Sequence, residues 1–150
     1  MHLTNKKKLL IINDYDIKLM CISSFWFLIP IIYGLHQSLY IVNILSYISI
    51  VTFVASILYW HNPINGIRRY FDYFVANTTC ILYIVLASYN INCAYTKLFI
   101  WYLLFTSIFL FYKSLYLYNV NNKNWVFCHM YFHLMATFAK CVILYNIIYQ

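Results

Sequence analysis

Long apolar runs alternate with short polar segments along the whole chain. Each run has about 20 residues, the length that an α-helix needs to cross the hydrocarbon core of a bilayer. The polar segments between the runs leave no room for a further folded domain. The sequence therefore predicts one all-α domain over residues 1–150, an integral membrane helical bundle. Its predicted transmembrane spans are residues 17–35, 39–60, 70–89, 98–118 and 125–149.

Composition supports this class and excludes a soluble globular domain. Of the 150 residues, 65% are hydrophobic and 9% are charged, whereas an ordinary soluble domain is about 25% charged. The net charge of +7 suits a basic face that attracts anionic lipid headgroups. Because the aromatic residues lie inside the apolar spans, we expect membrane lipids as partners and no nucleic acid.

The basic residues predict the orientation, since Lys and Arg in short loops are retained on the cytoplasmic side. With five spans, the N-terminus shares one side with the second and fourth loops, and eight of the ten basic residues fall there. The N-terminus is therefore expected to be cytoplasmic and the C-terminus to lie on the opposite side. The eight residues are Lys6, Lys7, Lys8, Lys18, Arg68, Arg69, Lys113 and Lys123, while Lys97 falls on the other side.

Ionisable side chains inside the spans are costly, so each is a candidate for a functional site. His129 and His133 are four residues apart in the last span, which places both imidazoles on one face of a helix. Two such histidines can share a zinc ion, which needs a third protein ligand and, for catalysis, a bound water. The predicted topology brings His61 and Asp72 to the same depth. The sequence thus predicts a zinc site near the cytoplasmic face, with His61, His129 and His133 as ligands.

Simpler roles remain open for each of these residues. A histidine near a membrane interface often only hydrogen-bonds a neighbouring carbonyl. Asp72 has an alternative role as the ion-pair partner of Arg68 or Arg69, or as an acidic residue at the start of a helix. Lys140 lies deeper in the last span, on nearly the same face as His129. It either contacts a lipid headgroup or carboxylate, or extends its amino group along its own stem toward the surface.

Three short motifs contain most of these residues. The first is Ser56-Ile-Leu-Tyr-Trp-His61, the second is Arg69-Tyr-Phe-Asp72-Tyr-Phe-Val-Ala, and the third is His129-Met-Tyr-Phe-His133. Together they resemble the CREST superfamily of membrane hydrolases. That superfamily includes the alkaline ceramidases, the progestin and adiponectin receptors, and the proteins that remodel the lipids of GPI anchors.

The resemblance implies a zinc-dependent hydrolase of an amide or ester bond in a lipid. It makes His61, His129 and His133 the zinc ligands, Asp72 the acid/base partner, and Ser56 a neighbour of the zinc-bound water. Family members have the serine four residues before the histidine and a core of seven helices. In this chain Ser56 stands five residues before His61, and five helices are predicted.

Three functions follow from these observations. The first is a lipid amide or ester hydrolase with a three-histidine zinc site. The alternative is a non-catalytic protein that organises a membrane and retains the fold without activity. The third, an ion or metal carrier that uses the same histidines, is disfavoured because the outer half of the spans has no matching polar path. The abundance of Ile, Asn, Tyr, Lys and Phe is typical of an AT-rich genome, as in many protists and large DNA viruses, and does not bear on function.

Overall fold

The structure, a computed structural model, describes residues 13–63 and 66–149. Within these ranges it contains five helices that are long and apolar enough to cross a membrane, and no β-strand. The prediction of an all-α bundle with five transmembrane helices is confirmed. The helices are α1 (Asp14–Leu35), α2 (Tyr40–His61), α3 (Ile67–Asn90), α4 (Ala94–Asn119) and α5 (Trp125–Ile148).

The observed helices extend beyond the predicted spans at several ends. The largest difference is at α4, which begins at Ala94, whereas the apolar run begins at residue 98. Such differences arise because a helix continues for a turn beyond the hydrocarbon, where polar residues are tolerated. The predicted orientation also uses three basic residues that lie outside the described residues, Lys6, Lys7 and Lys8.

Helix α1 contains Pro30 and still forms one continuous span. A proline inside a helix lacks the N–H donor, and its ring collides with the carbonyl four residues earlier. In α1 the three residues Phe25–Phe27 form a turn of 3₁₀-helix just before the proline, which accommodates the change of hydrogen-bonding pattern. Pro30 itself is fully buried.

The helices pack in the order α3, α2, α1, α5 and α4. Neighbours in this order make most of the contacts between helices, and α4 and α5 make the most extensive contact. Contact between α3 and α4, which would close the bundle, is sparse. Because the connections are short, helices α1, α3 and α5 begin at the same end of the bundle. We call this the Trp125 end, and the opposite one the Ile143 end.

Two separate apolar clusters fill the two ends of the bundle. The cluster at the Ile143 end is the larger one, and it includes Val42, Leu45, Tyr83, Ala87, Ile91, Ile100, Leu103, Leu104, Ala139, Ile143 and Leu144. The cluster at the Trp125 end includes Met20, Tyr59, Trp60, Trp125 and Val126. Between the clusters lies a layer where small polar and ionisable side chains replace the apolar core.

Candidate functional site: a cavity inside the bundle

The polar layer encloses a cavity of about 90 Å³ that all five helices line. Most of the residues identified from the sequence, Ser56, Asp72, His129, His133 and Lys140, lie on its wall. The other lining residues are mainly apolar or aromatic. They include Phe27, Ala76, Cys80, Tyr83, Leu104, Ile108, Phe111, Phe132 and Ala136.

The cavity is elongated along the bundle axis. Asp72 and Tyr83 on α3 are eleven residues apart, as are His129 and Lys140 on α5, and all four line it. At about 1.5 Å rise per residue, each pair spans about 16 Å of its helix, and eleven residues return to nearly the same face. The Lys140 Nζ atom lies 5.3 Å from the centroid of the Tyr83 ring, so the far members of the two pairs are at one level. The cavity therefore has an Asp72 end and a Lys140 end.

The cavity opens sideways between α3 and α4. Asn77 of α3 and Tyr112 of α4 both line it, and both are exposed on the outer surface of the bundle. Asn77 lies about midway between Asp72 and Tyr83 along α3, so the opening is near the middle of the cavity's length. The sparse contact between these two helices accounts for the gap. A molecule dissolved in the bilayer would meet this opening without passing through water.

Each of the two histidines has a serine hydroxyl beside Nδ1. The Ser23 hydroxyl lies 2.9 Å from the Met20 carbonyl, to which it can only donate, and 2.9 Å from His133 Nδ1. A hydroxyl has a single proton, so with that proton on the carbonyl the Ser23 oxygen accepts a hydrogen bond from His133 Nδ1–H. In that tautomer the nitrogen with a lone pair is Nε2 of His133.

His129 is arranged in the same way. The Ser114 hydroxyl donates to the Phe111 carbonyl at 2.7 Å, and its oxygen is 3.2 Å from His129 Nδ1. The His129 and His133 ring centroids are 4.8 Å apart, and both side chains are buried. In the tautomer with the proton on Nδ1, each of these two rings presents Nε2 to the cavity as its acceptor atom.

Ser56 is engaged by a serine on another helix. The Ser24 hydroxyl donates to the Met20 carbonyl at 2.9 Å, so at 2.9 Å it accepts the Ser56 proton. Within the described residues this is the hydrogen bond that Ser56 makes. Ser56 is therefore placed as a wall residue of the cavity, with no histidine base at hydrogen-bonding distance.

His61 does not join the other two histidines. Its side chain is exposed, and Trp60 instead faces the bundle interior, with its ring centroid 5.1 Å from that of His129. Trp60 stands four residues after Ser56, so it shares the Ser56 face of α2, whereas His61 is rotated from it by about 100°. No group of three His, Cys, Asp or Glu side chains within residues 13–63 and 66–149 is close enough to hold a metal ion.

The sequence contained a signal for this rotation of α2. Small hydroxyl residues recur every three or four positions along it, and all of them are buried. A further step of three or four residues reaches Tyr59 or Trp60, and both belong to the apolar cluster at the Trp125 end. The hydroxyl residues are Ser46, Ser49, Thr52 and Ser56. Ser23, Ser24 and Ser114, which hydrogen-bond the cavity residues, were not identified from the sequence.

Lys140 is buried at its end of the cavity. Only 5% of its surface is exposed, so the amino group does not reach the outer surface of the bundle. The Nζ atom lies 4.7 Å from the centroid of the Phe27 ring and 5.3 Å from that of Tyr83. It has no hydrogen-bond partner in the part of the chain that the structure describes.

Comparison of this chain with models of protein families, with curated proteins and with solved structures finds no match. The resemblance to the CREST superfamily therefore stays a prediction based on the three motifs. Function has to be argued from the cavity itself.

The serine contacts predict the protonation of both rings. We expect ¹⁵N NMR of histidine-labelled protein in detergent micelles to show His129 and His133 with the proton on Nδ1. Replacing Ser23 by Ala removes the acceptor of His133 Nδ1–H, so His133 should shift toward the other tautomer while His129 is unchanged. Ser88→Ala is the matched control, because among residues 13–63 and 66–149 the Ser88 hydroxyl hydrogen-bonds the Ile84 carbonyl of its own helix and no histidine. A His133 ring that has its proton on Nε2 in the unmodified protein would contradict the assignment.

Proposed function

We propose that this protein is a non-catalytic membrane protein that binds one apolar chain of a lipid inside its helical bundle. The observation that supports this most directly is the elongated cavity with its sideways opening between α3 and α4. Ligand-binding cavities are typically lined by apolar and aromatic side chains with a few polar groups that fix orientation. The cavity wall has this composition, with Phe27, Phe111 and Phe132 among the apolar residues.

The donor set of the cavity does not fit a catalytic zinc ion. Such an ion needs three protein ligands and one open position. His129 and His133 supply two Nε2 atoms, but at the position facing them α2 presents an indole, Trp60, which cannot bind zinc. A binding function needs no third ligand and uses the same residues as hydrogen-bonding groups.

Filling the cavity tests the binding function. Ala136 lines the cavity, and a phenyl ring at this position would occupy space inside it. We expect Ala136→Phe to weaken the binding of tritiated dodecanol to the purified full-length chain by at least about tenfold, which corresponds to ~1.4 kcal/mol. Scintillation proximity in detergent measures this.

Leu134→Phe is the matched control, because Leu134 is 40% exposed on the outside of the same helix. This variant should bind dodecanol as the unmodified chain does. Equal affinity in both variants would rule out the cavity as the binding site, and the absence of saturable binding to the unmodified chain would overturn the proposed function.

A second candidate is the zinc-dependent hydrolase of lipid amides or esters. It is favoured by the presence of Ser56, Asp72, His129 and His133 on one cavity wall. A zinc ion there would make its bound water acidic enough to supply hydroxide at neutral pH. In this protein the third ligand of such a site would have to be provided by a residue other than Trp60.

Zinc content separates the two candidates. By elemental analysis, we expect the purified protein to contain no more zinc than the double variant His129→Ala/His133→Ala. Trp60→His places an imidazole on the face of α2 that lies beside His129 and should raise the zinc affinity at least about tenfold, since three ligands then meet the usual requirement. His61→Ala should change nothing. One zinc per unmodified chain, lost in the double variant, would favour the hydrolase instead.

For the orientation, we propose that the Trp125 end faces the cytoplasm. Lys18, Arg68, Lys113 and Lys123 lie toward this end, and Lys97 lies toward the other. Basic residues flanking membrane helices are retained on the cytoplasmic side. The C-terminus would then be on the opposite side of the membrane.

Cys93 reports on this orientation. It is an exposed free thiol between α3 and α4, and a hydrogen bond with Thr96 lowers the pKa of this thiol below its ordinary value, which favours the reactive thiolate. In sealed vesicles with the cytoplasmic face inward, a membrane-impermeant maleimide should label Cys93. The control is Val120→Cys in a Cys93→Ala background, which exposes a thiol at the Trp125 end and should stay unlabelled until the vesicles are opened. The reverse labelling pattern would invert the topology.

A further inference from the structure

Within the described residues, Lys140 is a buried cation without an anionic partner. The chain has three acidic side chains, and all of them, Asp14, Asp16 and Asp72, lie toward the Trp125 end. Asp72 and Lys140 line the same cavity, and their backbone positions are about 16 Å apart along the helices. The Nζ atom of Lys140 has no hydrogen-bond partner in the described part of the chain, so it does not pair with Asp72.

The surroundings of Lys140 suit a charged amino group, but among the described residues they provide no hydrogen-bond acceptor for it. Two aromatic rings, Phe27 and Tyr83, lie within 4.7 and 5.3 Å of Nζ, and cations are attracted to such ring faces. Ring faces accept no strong hydrogen bond, so the three N–H donors of the ammonium group still need an acceptor. Nζ is buried and unpartnered, and Lys140 is part of the cavity wall. A ligand in the cavity is where that acceptor can come from.

We propose that the cavity binds a single-chain amphiphile with a carboxylate group, and that the carboxylate pairs with the Lys140 ammonium. This rests on the proposed function and adds the chemical class of the ligand and its direction. The apolar chain would run from Lys140 past Phe132 and Phe111 toward the Asp72 end. The cavity is elongated, about 16 Å along the helices, which suits one chain and a compact headgroup better than a two-chain lipid.

Electrostatics determine the direction of the ligand. Among the described residues that line the cavity, Lys140 is the one Lys or Arg side chain, and Asp72 at the opposite end is an acidic group that offers an anion no cation. An anion therefore gains a hydrogen bond between charged groups at the Lys140 end. Hydrogen bonds to charged groups are about twice as strong as neutral ones.

Ligand pairs that differ only in the headgroup test the proposal. Binding of tritiated dodecanoate to the purified full-length chain is measured by scintillation proximity in uncharged detergent, with unlabelled competitors. Dodecanoate should compete at concentrations about 10- to 100-fold lower than dodecanol, the range expected for a hydrogen bond to a charged group. Two further competitors are dodecyl phosphate, which has the same chain and another headgroup, and acetate, which has the carboxylate and no long chain.

Lys140→Met keeps the length of the side chain and removes the charge. In this variant dodecanoate should lose its advantage, so that dodecanoate and dodecanol compete at similar concentrations; the readout is the ratio of the two affinities, and continued saturable dodecanol binding shows that the cavity is intact. The matched control is Lys113→Met. Lys113 also lies over an aromatic ring, 5.7 Å from the centroid of Phe109, but it is exposed and is not part of the cavity wall.

The possible failures are distinct. If the unmodified chain binds dodecanol and dodecanoate equally well, the carboxylate proposal is overturned and the binding function stands. If it binds neither, the binding function is overturned as well. If acetate competes as well as dodecanoate, the apolar chain does not contribute to binding and the proposed amphiphile is wrong. If dodecyl phosphate competes clearly better than dodecanoate, the headgroup is not a carboxylate. These comparisons use the unmodified protein, so they decide the question even if Lys140→Met does not fold.

Discussion

Hydrocarbon offers no hydrogen-bond partner, so the buried hydroxyl groups of this bundle must find their partners within the protein. The arrangement of the helices depends on that requirement. In the cavity layer, Ser23, Ser24 and Ser114 each donate the single hydroxyl proton to a carbonyl three or four residues earlier in their own helix. After that donation each oxygen can only accept. The partners across the bundle must then be donors, which predicts the proton of both histidines on Nδ1.

The same pattern recurs away from the histidines. The Thr52 hydroxyl donates to the Ile48 carbonyl and lies 2.9 Å from the Thr79 hydroxyl. The Tyr83 hydroxyl likewise donates to the Leu45 carbonyl and lies 3.0 Å from the Ser49 hydroxyl. Membrane helices often pack closely through Gly and Ala, but this chain has only 2 glycines. Hydrogen bonds between its helices take the place of that close packing. Such bonds require specific rotations of the helices, so they also determine which side chains face the cavity.

The five helices could be predicted because each apolar run is long enough to cross a bilayer, and length alone decides that. The depths of His129, Asp72 and Lys140 could also be predicted, since they follow from position along a helix. The rotation of α2 was the difficult part, because Tyr59, Trp60 and His61 all suit a helix end at the membrane interface. Hydropathy does not distinguish their directions. Only the series of buried hydroxyl residues does, and it assigns the inward position to Trp60.

Access to the cavity lies in the gap between α3 and α4, where Asn77 and Tyr112 meet the surrounding lipid. A molecule that enters there travels by diffusion within one plane, and the quantity that determines occupancy is its mole fraction among the lipids. Its concentration in the surrounding water matters only through partitioning. Even a modest intrinsic affinity would then keep the cavity occupied wherever the membrane is rich in the ligand, so the occupied fraction would report the composition of the membrane.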